Sequence, residues 1–312
     1  MKSKDGKLLT KTEDQLERWK EHFQEVLNRP PPVNPPNREI NPPININTGA
    51  ITKAEIMKAI KSLKNGKASG IDNIPPEALK AGDDTIINWL HKLLNKMWTN
   101  EEIPDDWRRG LMIKLPKKGD TTSCQNWRGI TLLSIPSKVL ASIILSRMKT
   151  AVDKQLRDEQ AGFRQERSCV DQIATLRIII EQSIEWQTSL YMTFIDFEKA
   201  FDSVNHKVLW NILETYGIPA KIISIIKQLY INLTCQVLHA GTLTHSFPVT
   251  TGVRQWCLLS PLLFLVTLDW VCKTAFNIPR GIRWTMVKRL EDIDFADDIC
   301  MISHRLQFST PK

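Results

Sequence analysis

Two short apolar runs, about a hundred residues apart, each abut aspartates, and this restricts the fold of the chain more than any other feature. The first runs from Leu190 to Ile195 and leads into Asp196-Phe197-Glu198-Lys199-Ala200-Phe201-Asp202. The second runs from Ile299 to Ile302 and follows Phe295-Ala296-Asp297-Asp298. Runs of this length and composition read as strands. A lone Asp closing one strand and an Asp-Asp pair in a tight hairpin face each other when the strands share a sheet. Three carboxylates then surround one or two divalent cations, the arrangement used in phosphoryl transfer. Oxygen-only ligands suit Mg²⁺, which takes few protein carboxylates and leaves positions for substrate phosphates. Alone the pattern is ordinary, because Asp favours turns. Its meaning depends on the segments around it.

Composition narrows the class. A chain of 312 residues that is 42% hydrophobic can bury a core, and its length suits one or two domains. The formal charge of +8, from 42 Lys+Arg against 34 Asp+Glu, suits a polyanionic partner. Cys124, Cys169, Cys235, Cys257, Cys272 and Cys300 are scattered, with no Cys-x-x-Cys pair, and read as free thiols of a reducing compartment. With no N-terminal apolar core of a signal peptide and no long apolar stretch, the chain is expected to be intracellular, not secreted and not membrane-bound.

Local patterns mark the elements. Leu16, Trp19, Phe23, Val26 and Leu27 fall at helical spacing within Thr12 to Leu27. Pro30 to Pro43 holds seven prolines and reads as an extended linker. Thr52 caps a helix bearing Ile56, Ala59, Ile60 and Leu63, with Glu55 three residues on. Further helices are expected over Ile86 to Trp98, Ser137 to Met148, Val170 to Trp186, His206 to Tyr216, Ala220 to Ile231 and Ser260 to Ala275. In the Val170 helix, Ile173, Leu176, Ile179, Ile180 and Ile184 are expected to point inward. Strands are expected at Gly110 to Leu115, Leu190 to Ile195, Thr234 to Ala240 and Ser246 to Thr250, with the acid hairpin closing the sheet. Strands with helices packed on one side imply an α+β fold.

Between and before the acids stand Pro116-Lys117-Lys118-Gly119-Asp120, Asn126-Trp127-Arg128-Gly129-Ile130, Gln160-Ala161-Gly162-Phe163-Arg164, Arg167-Ser168 with Asp171-Gln172-Ile173, and Gly252-Val253-Arg254-Gln255-Trp256-Cys257-Leu258-Leu259-Ser260-Pro261. In this order the series resembles the reverse transcriptase domain of non-LTR (LINE-like) retrotransposons. Trp284-Thr285 and Leu290-Glu291-Asp292-Ile293-Asp294 point to the RTE-type group. The resemblance covers roughly residues 50 to 310.

The resemblance implies right-hand polymerase fingers and palm without a thumb. On that reading residues 1–29 form an N-terminal helix, 30–48 a Pro-rich linker, 49–189 mostly fingers and 190–312 a truncated palm. It implies template-directed addition of deoxynucleotides to a DNA 3′ end. The partners are an RNA template, a DNA primer or RNA–DNA duplex, and deoxynucleoside triphosphates; oligomeric state stays open. Asp196, Asp297 and Asp298 would be the catalytic acids and the ligands of two Mg²⁺ ions, with Mn²⁺ as a substitute. Lys117 and Arg128 would meet the triphosphate, with Lys114 and Lys118 as alternatives to Lys117. Phe197, Phe201 and Gln255 would line the nucleotide, the Phe201 ring excluding a 2′-hydroxyl. Arg164 and Arg167 would lie near template phosphates, and Lys64 and Lys67 would add salt-sensitive backbone contacts. Work on chromosomal DNA would imply a nuclear stage besides the cytoplasm.

Two departures stand out. Trp256 occupies a position where the family has glycine, which lets the backbone approach the nucleotide, so polymerisation is expected to be impaired. The chain also ends soon after the acid hairpin, where the family continues into further palm strands and a thumb, so weak duplex binding is expected. The alternatives are a non-catalytic nucleic-acid-binding remnant of such an element, and a metal-dependent nuclease or phosphatase built on the same acids.

Overall fold

The computed structural model describes residues 1–32, 41–254, 257–276 and 278–308. The chain opens with α1 (Thr12–Val26), which buries Trp19 and Phe23. Helix α2 (Lys53–Ser62) starts at a reciprocal cap. The Glu55 N–H donates to Thr52 Oγ1 and the Thr52 N–H to the Glu55 carboxylate, the capping box read from the sequence. Helix α3 (Pro76–Ala81) begins with proline at its first position, where no N–H is needed. Helix α4 (Asp84–Asn100) is capped by Asp83 and buries Leu90, Leu94, Met97 and Trp98. Strands β1 (Arg109–Pro116) and β2 (Trp127–Leu132) form an antiparallel hairpin, and α5 (Ile135–Asp153) follows.

Helix α6 (Cys169–Glu185) and strand β3 (Tyr191–Ile195) come next. Then follow α7 (Ala200–Ser203), α8 (His206–Thr215), α9 (Ala220–Tyr230), and strands β4 (Thr234–His239), β5 (Thr242–Leu243) and β6 (Phe247–Pro248). The chain then passes through α10 (Ser260–Ala275), the short pair β7 (Ile282–Arg283) and β8 (Arg289–Leu290), and the acid hairpin β9 (Asp292–Phe295) and β10 (Asp298–Ser303). No helix among the described residues is long and apolar enough to cross a membrane.

These elements divide into two compact units. The first comprises Met1–Ala151 and Phe201–Ser260; the second comprises Val152–Ala200 and Pro261–Lys312. In the first unit a sheet in the order β2-β1-β4-β5 has β6 paired to β4, and the β1–β4 step is parallel. Helix α1 lies on one face of the β1–β2 hairpin. There a Cβ on Gly129 would meet the Phe23 ring at 2.8 Å, and the Trp19 and Trp127 rings pack edge to face. Of the Pro-rich segment, residues 33–40 lie outside the described residues. The part beyond is extended and anchored: the Ile44 N–H donates to Gly217 O, Ile46 is buried, and the Thr48 carbonyl accepts from the Trp98 indole.

The second unit is built on a three-stranded antiparallel sheet in the order β3-β10-β9. Met192, Cys300, Ile302 and Ile293 share one face and pack with Ile179 and Leu176 of α6. Two expectations fail here. Helices were expected on one side of the strands, yet the opposite face carries Asp292 and Asp294, both buried, toward Arg157 and toward Asp269 and Cys272 of α10. In α6, Ile179 is buried and Leu176 partly so, but Ile173 (60%), Ile180 (36%) and Ile184 (72%) are exposed. That helix is apolar around more than one face, so periodicity alone does not pick out the stripe that meets the sheet.

A candidate acid site

The acids sit at one end of the β3-β10-β9 sheet. Ile195 of β3 pairs with Ile299 of β10, so continuing the register by one residue sets Asp196 opposite Asp298. Asp297 is the second residue of a two-residue turn, Ala296-Asp297, that joins β9 to β10. Asp196 and Asp298 are exposed and Asp297 is half-buried. Among the described residues their carboxylates take part in no ion pair and accept no hydrogen bond. Their oxygens do not form a set within 4.8 Å of one another; among the described residues only Cys272, Asp292 and Asp294 do. Three carboxylates at one sheet end, without a counter-ion among the described residues, offer the hard oxygen donors that a divalent cation takes.

The Cys272–Asp292–Asp294 group is already occupied in another sense. Arg157 donates from Nη1 to both Asp292 oxygens at 2.8 Å and from Nη2 to Asp294 at 2.6 Å. Its backbone N–H and Nε also face Asp269, which pairs with Lys273 at 2.8 Å. Burial pushes the carboxyls of both Asp292 and Asp294 upward, and for Asp294 the neighbouring Asp292 charge adds to it. Burial likewise raises the Cys272 thiol. Acids gathered around a guanidinium form a structural cluster; a metal ion would have to displace Arg157.

The turn itself is held from behind. Gln160 accepts from the Ala296 N–H and donates to the Ala296 carbonyl. The Ala161 N–H donates to Asp294 O, and Gln172 Nε2 donates to the carbonyls of Glu159 and Asp294. Ser168 and Asp171 cap α6 reciprocally. The motif residues from 160 to 172 thus support the acid hairpin, a role the sequence reading did not assign; their fixed place in the motif series was the one signal available. Arg164, expected near template phosphates, is bonded within its own segment. It pairs with Asp153 at 2.7 Å and donates to the Arg157 and Gln160 carbonyls, its side chain 5% exposed. Arg167 pairs with Asp158 on the surface.

The expected nucleotide residues divide between the units. Phe197, in the second, is exposed. In the first unit, Leu115 pairs with Arg128 and the Lys117 N–H donates to the Asn126 carbonyl, so Lys117 and Arg128 share one end of the β1–β2 hairpin. Both are exposed, and among the described residues neither side chain has an ion-pair partner. Lys114 points elsewhere, donating to Leu238 O and lying 4.8 Å over the Trp19 ring, and burial lowers its pKa to about 8. Phe201 is half-buried, and its carbonyl accepts from the Val253 N–H at 2.8 Å. Gly252 sits at φ +88°, and a Cβ there would stand 3.0 Å from Asp202 Cα, so this close approach requires glycine. Gln255 and Trp256 lie outside the described residues.

The family model described as "Reverse transcriptase (RNA-dependent DNA polymerase)" matches residues 115–307. The chain is 27% identical over 82% of its length to the transposon TX1 uncharacterized 149 kDa protein of Xenopus laevis, covering 20% of that protein. It is 29% identical over 80% of its length to a probable RNA-directed DNA polymerase from transposon BS of Drosophila melanogaster, covering 27% of it. To the Pol polyprotein of the type-2 retrotransposable element R2DM of Drosophila melanogaster it is 24% identical over 90% of its length, covering 26%. The chain therefore spans only a fifth to about a quarter of these relatives. It belongs to the reverse transcriptase family, as a domain of the kind carried by non-LTR retrotransposons.

Proposed function

We propose that this domain extends a DNA 3′ end along an RNA template with deoxynucleoside triphosphates, and that Asp196, Asp297 and Asp298 hold the cations this requires. The observation that carries the reading is the meeting of Asp196 with the Asp297-Asp298 turn at one sheet end, unpaired, within the segment that matches the family model. Two Mg²⁺ ions bound there, or Mn²⁺ in their place, would neutralise charge on the attacking 3′ oxygen and the pyrophosphate. Lys117 and Arg128 bind the triphosphate, Arg as a fork and Lys as a point charge. Phe201 supports the sugar and excludes a 2′-hydroxyl, with Phe197 and Gln255 beside the nucleotide. The place of action is inside the cell, with a nuclear stage for synthesis on chromosomal DNA. Trp256 in place of glycine impairs turnover in this chain.

Primer extension on an RNA template–DNA primer duplex, with Mg²⁺, tests the reading in the chain and in Trp256→Gly. Extension that rises strongly in Trp256→Gly and needs Mg²⁺ supports it. Equal, robust extension in both removes the impairment. Trp256 favours one second reading, a nucleic-acid-binding remnant, which predicts salt-sensitive duplex binding and no extension in either protein. Hydrolysis of nucleic acid without nucleotides would instead point to a nuclease.

A further inference from the structure

The acid hairpin turns on a residue in an unusual backbone state. Ala296, immediately before Asp297, has φ +57°, a left-handed conformation that residues with a Cβ rarely adopt. Gln160 grips this residue on both its polar groups. Its Oε1 accepts from the Ala296 N–H at 2.8 Å, and its Nε2 donates to the Ala296 carbonyl at 3.1 Å. The same Oε1 accepts from the Gly162 N–H at 2.7 Å. The Gln160 residue is 1% exposed, and a buried amide bonded on both its atoms fixes geometry because each lost partner would leave an unsatisfied group. Gly162 comes so near that a Cβ on it would stand 2.1 Å from the Ala296 nitrogen. The surrounding backbone interlocks as well, with the Asp294 N–H donating to Glu159 O and the Ala161 N–H to Asp294 O.

We propose that Gln160 is a positioning residue for the acid site. It holds Ala296 in its left-handed state and so sets the direction in which Asp297 and Asp298 present their carboxylates to a cation. The inference rests on reading Asp196, Asp297 and Asp298 as that cation site. A two-residue turn leaves no slack: rotation of the Ala296 peptide moves Asp297 directly. Only an amide serves both groups of Ala296 at once. Glutamate keeps the acceptor and loses the donor, and methionine fills the volume with neither.

The test is Mn²⁺ binding, followed by the loss of free-ion EPR signal, together with amide hydrogen exchange at residues 296–298. It compares the full chain with Gln160→Met, Gln160→Glu and Asp297→Asn. Asp297→Asn is expected to abolish binding. Gln160→Met is expected to weaken Mn²⁺ binding roughly tenfold or more, the usual effect of removing a supporting group behind a ligand. Exchange at 296–298 should quicken in step, and Gln160→Glu should fall between Gln160→Met and the parent. A purely structural role would lower the melting midpoint of Gln160→Met and leave Mn²⁺ affinity per folded molecule unchanged; that result overturns the proposal while the acid site stands. Parent-like Mn²⁺ binding by Asp297→Asn overturns the acid site and the proposal with it. Should Gln160→Met fail to fold, Gln160→Glu decides by the same criterion, parent-like affinity being the contrary result.

Discussion

Three positions separate Asp294 from Asp297, and the two acids meet opposite fates. Asp294 and Asp292 lie buried along β9, joined by Arg157 and backed by Cys272. Asp297 and Asp298 lie past the end of that strand, half-buried and exposed, and among the described residues no cation is paired to them. By proximity of ligand atoms alone the buried group is the better metal site. By charge it is the worse one, because a guanidinium already balances it and burial works against the ionised form of its carboxyls. Availability of charge, more than closeness of oxygens, separates a site from a structural cluster.

The comparison can be broken most sharply at Arg157. Arg157→Met leaves three buried acids without their shared partner and should destabilise the chain by about 3–5 kcal/mol, read by denaturant unfolding. A loss under about 1 kcal/mol would mean that the cluster does not depend on its guanidinium. Next in size, Asp297→Asn in the Trp256→Gly background should lower primer extension roughly 100- to 1,000-fold, whereas Asp292→Asn should reduce it only as far as it reduces folding. Equal specific activities in these two variants would erase the distinction between the groups.

A smaller effect lies in the pH dependence of stability. Asp294 keeps its proton in the folded chain to a higher pH than in the unfolded chain. The folded state therefore binds more protons in that interval, and stability falls as pH rises through it, levelling once the folded carboxyl ionises. Glu55 of the first unit has the reverse sign: Arg147 holds it down to about 2 from an ordinary 4.5, so its contribution is complete above that ordinary value and is lost as pH falls toward 2. Asp294→Asn should flatten the alkaline slope and Glu55→Gln the acid one; a slope unchanged in either variant would contradict its assignment. The smallest effect is at Asp298. Asp298→Asn should change stability by no more than about 0.5 kcal/mol, the usual range for a surface position, and a large loss would show that the acid has a structural partner.

Much of this fold could be read from local pattern. The Thr52–Glu55 box, the helix ending at Ala275 and the two-residue acid turn are set by residues within a few positions of one another. The acids themselves were legible because each closes or opens a strand. What stayed hidden depends on pairing across the sequence. Arg157 meets Asp292 across 135 residues and Gln160 meets Ala296 across 136, and no local pattern encodes either. The same blindness turned the apolar turns of α6 into an expected buried face. Arg164, read as a template contact, is instead spent within its own loop on Asp153 and on backbone carbonyls.

The most direct measurement is anomalous scattering at the manganese edge from crystals of the chain soaked in Mn²⁺. A peak bounded by Asp196, Asp297 and Asp298, with none beside Arg157, is the result expected. A peak among Cys272, Asp292 and Asp294, with the acids at the sheet end left bare, would contradict it.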